Sequence, residues 1–280
     1  MAAHTMIQHR KLIFTLSLAA SLGGAVWAQD TNAPSVEASL DLAAASAYVW
    51  RGQVINAEAV CQPEISAQKG GWAFIVWANL DLTERAVEDA PQFTEIDLTA
   101  TYARQFGPVE LVVGYSEYLY PHQTLETETA LDEEETESAT QRGAAYPGTR
   151  EVYLAADVPD WPVVPTVSVS KDIDEVGGYY FTAEMAYEQP LVADRLTLAL
   201  KGSVGYANGA YNDFYFGVNR EEWNDAEVGA ELTWAVSDSL SLSVAARYSL
   251  LLADEIRSAA DERYGADEQF IGAVIARIAF

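Results

Sequence analysis

Charged side chains that could do chemistry recur at alternate positions along the 280-residue chain, opposite to apolar neighbours. If they line one enclosed space filled with water, the excess of carboxylates would favour cations over anions. If side chains fill that space instead, the same residues would form an internal ion-pair network, and the sequence leaves both interpretations open. The candidate set is Arg51, Glu64, Asp81, Glu95, Asp97, Glu151, Glu184, Lys201, Glu227, Glu231, Arg247 and Arg277, and Glu110, Asp157 and Glu188 have the same parity.

Nucleophilic and metal chemistry have little support in the sequence. A nucleophile needs a base, and His122 is the only histidine after the first 28 residues, where it adjoins Pro121 and no recognisable serine motif. We interpret it as a histidine in a surface loop and expect no catalytic residue. Cys61 is the only cysteine, which excludes an internal disulfide and a cysteine-based metal site. We therefore expect no cofactor and no metal centre.

An acidic stretch, residues 126–137, lies in the longest connection between predicted strands. Carboxylates are ligands for hard cations, so the stretch could bind a divalent cation or make cation-bridged contacts with lipopolysaccharide. It could equally be a solvated loop whose like charges repel one another, and this second interpretation is the one we favour.

The N-terminus has the pattern of an export signal. Arg10 and Lys11 precede an apolar run, and Val26-Trp27-Ala28 suits a signal peptidase. We predict a signal peptide over residues 1–28 and one domain over residues 29–280. Removal of the signal leaves 14 basic against 42 acidic residues, which argues against a nucleic-acid partner.

A period-two pattern of apolar residues runs through the exported part of the chain and predicts the fold. Leu240, Leu242 and Val244 alternate with serines in one segment, and the first segment runs from Val36 to Arg51. About twelve such segments occur, with short turns after even-numbered ones and mostly longer, polar loops after odd-numbered ones. This is typical of a transmembrane, antiparallel, up-and-down β-barrel, and it is harder to obtain from a secreted β-sandwich.

Aromatic residues on the apolar parity cluster at strand ends, as the two interfacial girdles of a membrane barrel require. The predicted girdle residues are Tyr48, Trp50, Trp72, Tyr102, Tyr179, Tyr187, Tyr206, Trp234, Tyr248, Phe270 and Phe280. The strand that ends with Phe280 would also be the segment that the barrel-assembly machinery recognises.

These features predict a porin-like barrel in the outer membrane of a Gram-negative-type bacterium, in contact with lipid and lipopolysaccharide. The primary hypothesis is a passive channel for small cationic or neutral solutes. The alternative is a non-conducting structural or interaction barrel that presents acidic, cation-binding loops. A hydrolase on the rim that uses His122 is a third hypothesis.

The segment 45–53, which contains Ser46, Tyr48, Trp50 and the pair Arg51-Gly52, resembles a bacterial family known as Gcw_chp proteins. In that family a signal peptide precedes a first strand with a Ser-x-Tyr-x-aromatic-Arg-Gly motif, and a Gly-aromatic strand such as residues 71–80 follows. The segment after Gly52 departs from the Gln-Ser or Gln-Thr that is usual there. The resemblance implies an outer-membrane barrel, and it implies no activity.

Overall fold

The computed structural model describes residues 36–83, 90–121, 147–192 and 195–280. The predicted signal peptide, His122 and the acidic stretch 126–137 lie outside these ranges, so the hypotheses about them stay predictions. In chain order the elements are β1 (Glu37–Ala45), β2 (Tyr48–Trp50), β3 (Gln53–Asn56), β4 (Val60–Lys69), β5 (Trp72–Asp81), β6 (Gln92–Phe106), β7 (Val109–Leu119), β8 (Thr149–Asp157), β9 (Val163–Asp172), β10 (Tyr179–Val192), β11 (Leu196–Ala207), α1 (Gly209–Phe216), β12 (Glu222–Ala235), β13 (Leu240–Leu251), α2 (Asp254–Tyr264) and β14 (Glu268–Ala279).

Twelve of these strands close into a barrel in which every neighbouring pair is antiparallel. Strand β1 completes the circle, because Leu40 is the register partner of Ile65 in β4 and of Ile278 in β14. The other wall strands follow one another in chain order. The predicted all-β, twelve-stranded, up-and-down barrel is confirmed.

The outer face of the wall is apolar and exposed. Leu154, Val244 and Val274 lie near the middle of their strands with 47%, 55% and 59% of their surface exposed. A water-soluble protein rarely exposes so continuous an apolar band, whereas a membrane barrel needs one against the lipid chains. Within the described ranges, no helix is long and apolar enough to cross a membrane.

Aromatic residues flank this band at both ends of the wall. At the turn end Trp72 and Tyr102 are register partners with ring centroids 4.9 Å apart. At the loop end Phe181 contacts Tyr206, with 6.1 Å between the ring centroids. The other predicted girdle residues on the outward parity are Tyr179, Tyr187, Trp234, Tyr248, Phe270 and Phe280.

Tyr48 and Trp50 are not in the girdle, and that prediction is wrong. The first wall strand does not run on to Arg51, because the chain leaves the wall at Ser46. The backbone N–H of Ser46 donates to the Gly272 carbonyl (2.9 Å), and the Ser46 hydroxyl accepts from the Gly272 N–H (3.0 Å). After this bend β2 and β3 form a separate hairpin inside the barrel, where both aromatic side chains are buried.

Two connections at the loop end, expected to be polar loops, contain helices. The Asn208 side chain caps α1 by accepting from the Tyr211 N–H, and Gly217 ends that helix with a φ of 67°. Helix α2 begins with Asp254 and Glu255 and turns Ile256 and Ala260 into the interior, where both are fully buried. Two helices, α1 and α2, therefore lie at the loop end of the barrel.

Candidate functional site

The interior hairpin turns at Arg51 and Gly52. Their φ angles are 48° and 79°, and a two-residue turn of this kind requires positive φ at both positions. A Cβ on Gly52 would lie 2.5 Å from Leu251 Cδ2 and 2.8 Å from Asp225 Cβ. Glycine is needed here for its conformation and for the close approach of the hairpin tip to the wall.

Arg51 joins the hairpin to the opposite wall through a buried ion pair. Its guanidinium donates to both carboxylate oxygens of Glu151 in β8, each at 2.8 Å, and the two side chains are 5% and 6% exposed. The Tyr118 hydroxyl donates to the same carboxylate at 3.1 Å. Because a buried charge is tolerated only when it is paired and hydrogen-bonded, this geometry fixes the position of the tip.

Aromatic rings surround the Arg51 guanidinium. Its central carbon lies 4.2 Å from the Tyr180 ring centroid, 4.6 Å from that of Trp50 and 5.7 Å from that of Tyr211. Such contacts are stronger when water is excluded, as it is here. The cation is therefore held between a carboxylate and π-faces, with 5% of its side chain exposed.

We call the hairpin β2–β3 together with α1 and α2 the plug, because these elements pack on one another inside the loop end of the barrel. Trp50 contacts Tyr215 of α1, with ring centroids 5.3 Å apart. The Tyr264 hydroxyl of α2 donates to Gln53 Oε1 at 2.9 Å and lies 3.0 Å from the Tyr215 carbonyl oxygen. Burial raises the pKa of the Tyr211 and Tyr215 phenols, so both stay neutral at physiological pH.

Buried inward residues surround the plug on every strand of the wall. At its level each of the twelve wall strands contributes at least one buried side chain or backbone position on the inward face. In the order of the strands these residues are Ala45, Gln62, Asn79, Glu95, Tyr118, Glu151, Ser170, Tyr180, Ala207, Asp225, Ser249 and Ile271. A water-filled gap along any of these strands would have left exposed side chains at this level.

Hydrogen bonds make the contact between plug and wall specific. The Tyr48 hydroxyl donates to Glu95 Oε2 at 2.6 Å, and the Tyr180 hydroxyl of the wall donates to Asp225 beside the hairpin tip. Next to Tyr48, Asn79 accepts from Gln62 at 2.9 Å and donates to Asp81 at 2.7 Å. Sequence reasoning missed Gln53, Asn79 and Tyr211 as site residues, since uncharged polar and aromatic side chains are not distinctive in an alternating pattern.

Elsewhere on the inner wall, the other three basic residues of the predicted set each form an ion pair with a carboxylate. Arg277 donates twice from Nε to Asp41, at 2.7 and 2.9 Å. Arg247 lies 2.9 Å from Glu227, and Lys201 lies 2.7 Å from Glu184. Other members of the set, which are also buried on the inward parity, are Glu64, Asp81, Asp97 and Glu231. The arrangement is that of an ion-pair network with additional carboxylates.

The described ranges contain no group of three or more His, Cys, Asp or Glu side chains arranged to hold a metal ion. Cys61 is half-buried in β4 and forms no disulfide.

Solved structures with a similar fold are outer-membrane porins and channels. The KdgM porin in complex with disordered oligogalacturonate matches with a TM-score of 0.50 and 9% identity, over 86% of this chain and 99% of that one. The COG4313 outer membrane channel from Pseudomonas putida F1 matches with a TM-score of 0.49 and 8% identity, over 91% of this chain and 100% of that one. At these identities the KdgM match shows a porin-like fold and nothing finer. No curated protein sequence matches the chain.

A family model matches residues 118–260, just over half of the chain. This family differs from the one that the motif around Arg51-Gly52 resembles, and the Gcw_chp assignment is not confirmed. The matched range covers the wall from the end of β7 through most of α2, including two of the three elements that meet at the plug. The chain belongs to the family of MipA, the MltA-interacting protein.

Proposed function

We propose that the chain is an outer-membrane barrel that is closed to passive flow in its resting conformation and acts as a non-conducting interaction barrel. The observation that carries this proposal is the buried ring at the plug, to which every wall strand contributes. A passive channel needs a continuous water-filled path with binding sites that an ion can enter and leave. Among the residues that the structure describes, the buried side chains around the whole circumference leave no such path at this level.

The energetics of opening support a closed resting state. Withdrawal of the plug would separate Arg51 from Glu151, which are both buried, and would expose the aromatic residues around them. Both charges would regain water on withdrawal, so the ion pair itself adds little to the cost of opening. The main cost is the exposure to water of aromatic surface at Trp50, Tyr180 and Tyr211, which is buried in the closed form.

The outer surface of the wall supports the location. An apolar band between two aromatic girdles suits a bilayer, and the predicted signal peptide over residues 1–28 would export the chain to it. We therefore assign the chain to the outer membrane of a Gram-negative-type bacterium, where lipid and lipopolysaccharide surround it. Recognition of the β14 strand by the assembly machinery is part of the same proposal.

The partner of the barrel is proposed from the family. The family takes its name from a protein that interacts with MltA, and a sealed barrel is compatible with a role in binding rather than in transport. We expect purified MltA to bind the folded chain immobilised in detergent, and not to bind a KdgM barrel treated in the same way. If MltA bound both barrels equally, or neither of them, MltA would not be the specific partner of this chain. The closed resting state would still be tested separately, by measuring conductance.

A gated, cation-favouring channel is the second candidate, and the inner wall favours it. Among the described inward residues, carboxylates exceed the four basic residues Arg51, Lys201, Arg247 and Arg277. If the plug were withdrawn, this wall would attract cations and small neutral solutes would pass. The porin-like fold shared with KdgM is compatible with this alternative.

Conductance in planar lipid bilayers separates the two candidates. Ala45 and Val60 are register partners, so a short Gly-Ser turn can join them and delete residues 46–59 without displacing β1 or β4. We expect no steady conductance from the intact chain and cation-selective conductance from the deletion variant. Steady conductance of the intact chain would contradict the closed state, and anion selectivity of the variant would contradict the argument from wall charge.

A further inference from the structure

Two carboxylates face each other inside the turn end of the wall, away from the plug. Glu110 lies near the start of β7 and Asp157 ends β8, and they are register partners. They are 6% and 3% exposed. Side chains on directly opposed positions of adjacent strands have their Cβ atoms about 4.5–5.5 Å apart, so both carboxylates can reach one ligand.

Three of the four carboxylate oxygens of this pair are buried without a hydrogen-bond partner among the described residues. Glu110 Oε1 and both carboxylate oxygens of Asp157 accept no hydrogen bond from any described residue. The ion pairs of Arg51, Lys201, Arg247 and Arg277 are with other carboxylates, namely Glu151, Glu184, Glu227 and Asp41. A buried pair of like charges without compensation is strongly unfavourable, so the pair is completed either by a bound cation or by a shared proton.

The neighbours of the pair carry neutral oxygen atoms. Gln105 of β6 is the register partner of Glu110, and Thr166 of β9 is the register partner of Asp157. One row across four adjacent strands thus reads amide, carboxylate, carboxylate, hydroxyl. Oxygen ligands of this kind suit hard divalent cations, and Mg²⁺ in particular binds through one or two carboxylates while it keeps several waters.

We propose that Glu110 and Asp157 bind one hard divalent cation, Mg²⁺ or Ca²⁺, at the turn end of the barrel. Two protein carboxylates supply the charge, and water completes the shell. Thr166 is the register partner of Asp157, whereas the Gln105 amide donates to the Gly107 carbonyl in the turn at 3.0 Å. The cation ties β7 to β8 beside the turns that join β6 to β7 and β8 to β9. This inference does not depend on whether the barrel conducts.

Terbium luminescence tests the proposal, with Tb³⁺ as a probe for a Ca²⁺ site. Trp161 lies in the turn that follows Asp157 and can serve as the energy donor. With the full chain refolded in detergent, we expect a saturable signal that Ca²⁺ displaces. Glu110→Gln and Asp157→Asn, which preserve side-chain shape, should each weaken Tb³⁺ binding at least tenfold.

Asp160→Asn is the matched control, because Asp160 is an exposed carboxylate in the same turn and should leave Tb³⁺ binding unchanged. A second measurement is the unfolding temperature, which Ca²⁺ should raise for the intact chain and for Asp160→Asn but not for Asp157→Asn. Unchanged Tb³⁺ binding in Glu110→Gln and Asp157→Asn would overturn the proposal. If Glu110→Gln and Asp157→Asn both raised the unfolding temperature whether or not Ca²⁺ was present, the proposal would be overturned. The two carboxyl groups would then share a proton instead of a cation.

Discussion

At the scale of single residues, the contact between Arg51 and Glu151 decides how firmly the plug is held. Arg51→Met should destabilise the protein by about 3–5 kcal/mol, since it leaves the Glu151 carboxylate buried without its counter-charge. The measurement is reversible urea unfolding in lipid vesicles, followed by tryptophan fluorescence.

Two comparisons make that result specific. Arg220→Ala removes an ion pair with Glu255 in which the side chains are 58% and 57% exposed, and this should cost less than about 1 kcal/mol. The double variant with Arg51→Met and Glu151→Gln should recover part of the loss, because no unpaired buried charge remains. If the two arginine variants were equally stable, the pair would not anchor the plug.

Gly52 gives a second prediction at this scale. Gly52→Ala adds a Cβ where Leu251 and Asp225 already lie within 2.8 Å, in a residue whose φ is positive. Gly265 also has a positive φ, but nothing lies within 4 Å of an added Cβ. We expect Gly265→Ala to cost about 1–2 kcal/mol from the backbone alone and Gly52→Ala to cost more. Equal unfolding free energies for the two variants would show that the tip of the hairpin is loosely packed.

At the scale of elements, the seating of β3 in the barrel can be tested by chemical labelling. Val54 is 3% exposed and the adjacent Ile55 is 38% exposed. In a Cys61→Ala background, Ile55→Cys should react with a membrane-impermeant maleimide at least ten times faster than Val54→Cys. The rates are read by mass spectrometry on the folded barrel in vesicles. Similar rates at both positions would mean that the hairpin leaves the lumen readily.

The wall was predictable from the sequence, whereas the plug was not. The reason is that alternation of apolar and polar residues shows which residues share a face of a strand, but not where the strand bends. Leu240 to Leu250 alternate because one face of β13 meets lipid and the other the lumen. Tyr48 and Trp50 continue the parity of β1 across Ser46, so an uninterrupted strand was the natural prediction. A bend of the backbone changes which way a side chain points without changing its place in the alternation.

The signal for the hairpin was nevertheless present. Arg51-Gly52 stands between two short β-prone runs, as the two central residues of a tight turn do, and Asn208 and Gly217 bracket α1 as cap residues do. What the sequence could not supply is the packing of these elements into one another. The partners of Gln53 are Tyr211 and Tyr264, which are far away in the chain, and local pattern carries no information about such contacts.

At the scale of the whole molecule, the two ends of the barrel interior differ in what fills them. Buried aromatic and aliphatic residues of the plug occupy the loop end together with the Arg51–Glu151 ion pair, and the other ion pairs of the wall lie nearer the turn end. The apolar side chains of the plug pack on one another at the loop end. The wall toward the turn end carries ion pairs and, at Glu110 and Asp157, buried carboxylate oxygens without a hydrogen-bond partner among the described residues. A seal at one end only is consistent with a barrel that binds at its ends and does not conduct.

The last prediction concerns the relation of the whole wall to the bilayer. Val274 lies outward near the middle of β14, and Ile278 lies on the same face near the turn end. In a membrane barrel, Val274→Arg should destabilise by about 2–4 kcal/mol and Ile278→Arg by about 0–1 kcal/mol, because the cost of a charge falls from the midplane to the interface. The measurement is the unfolding free energy in phosphatidylcholine vesicles. A soluble β-sandwich would show no such gradient, since both side chains would face water, so equal losses would contradict the membrane assignment and with it the proposed location.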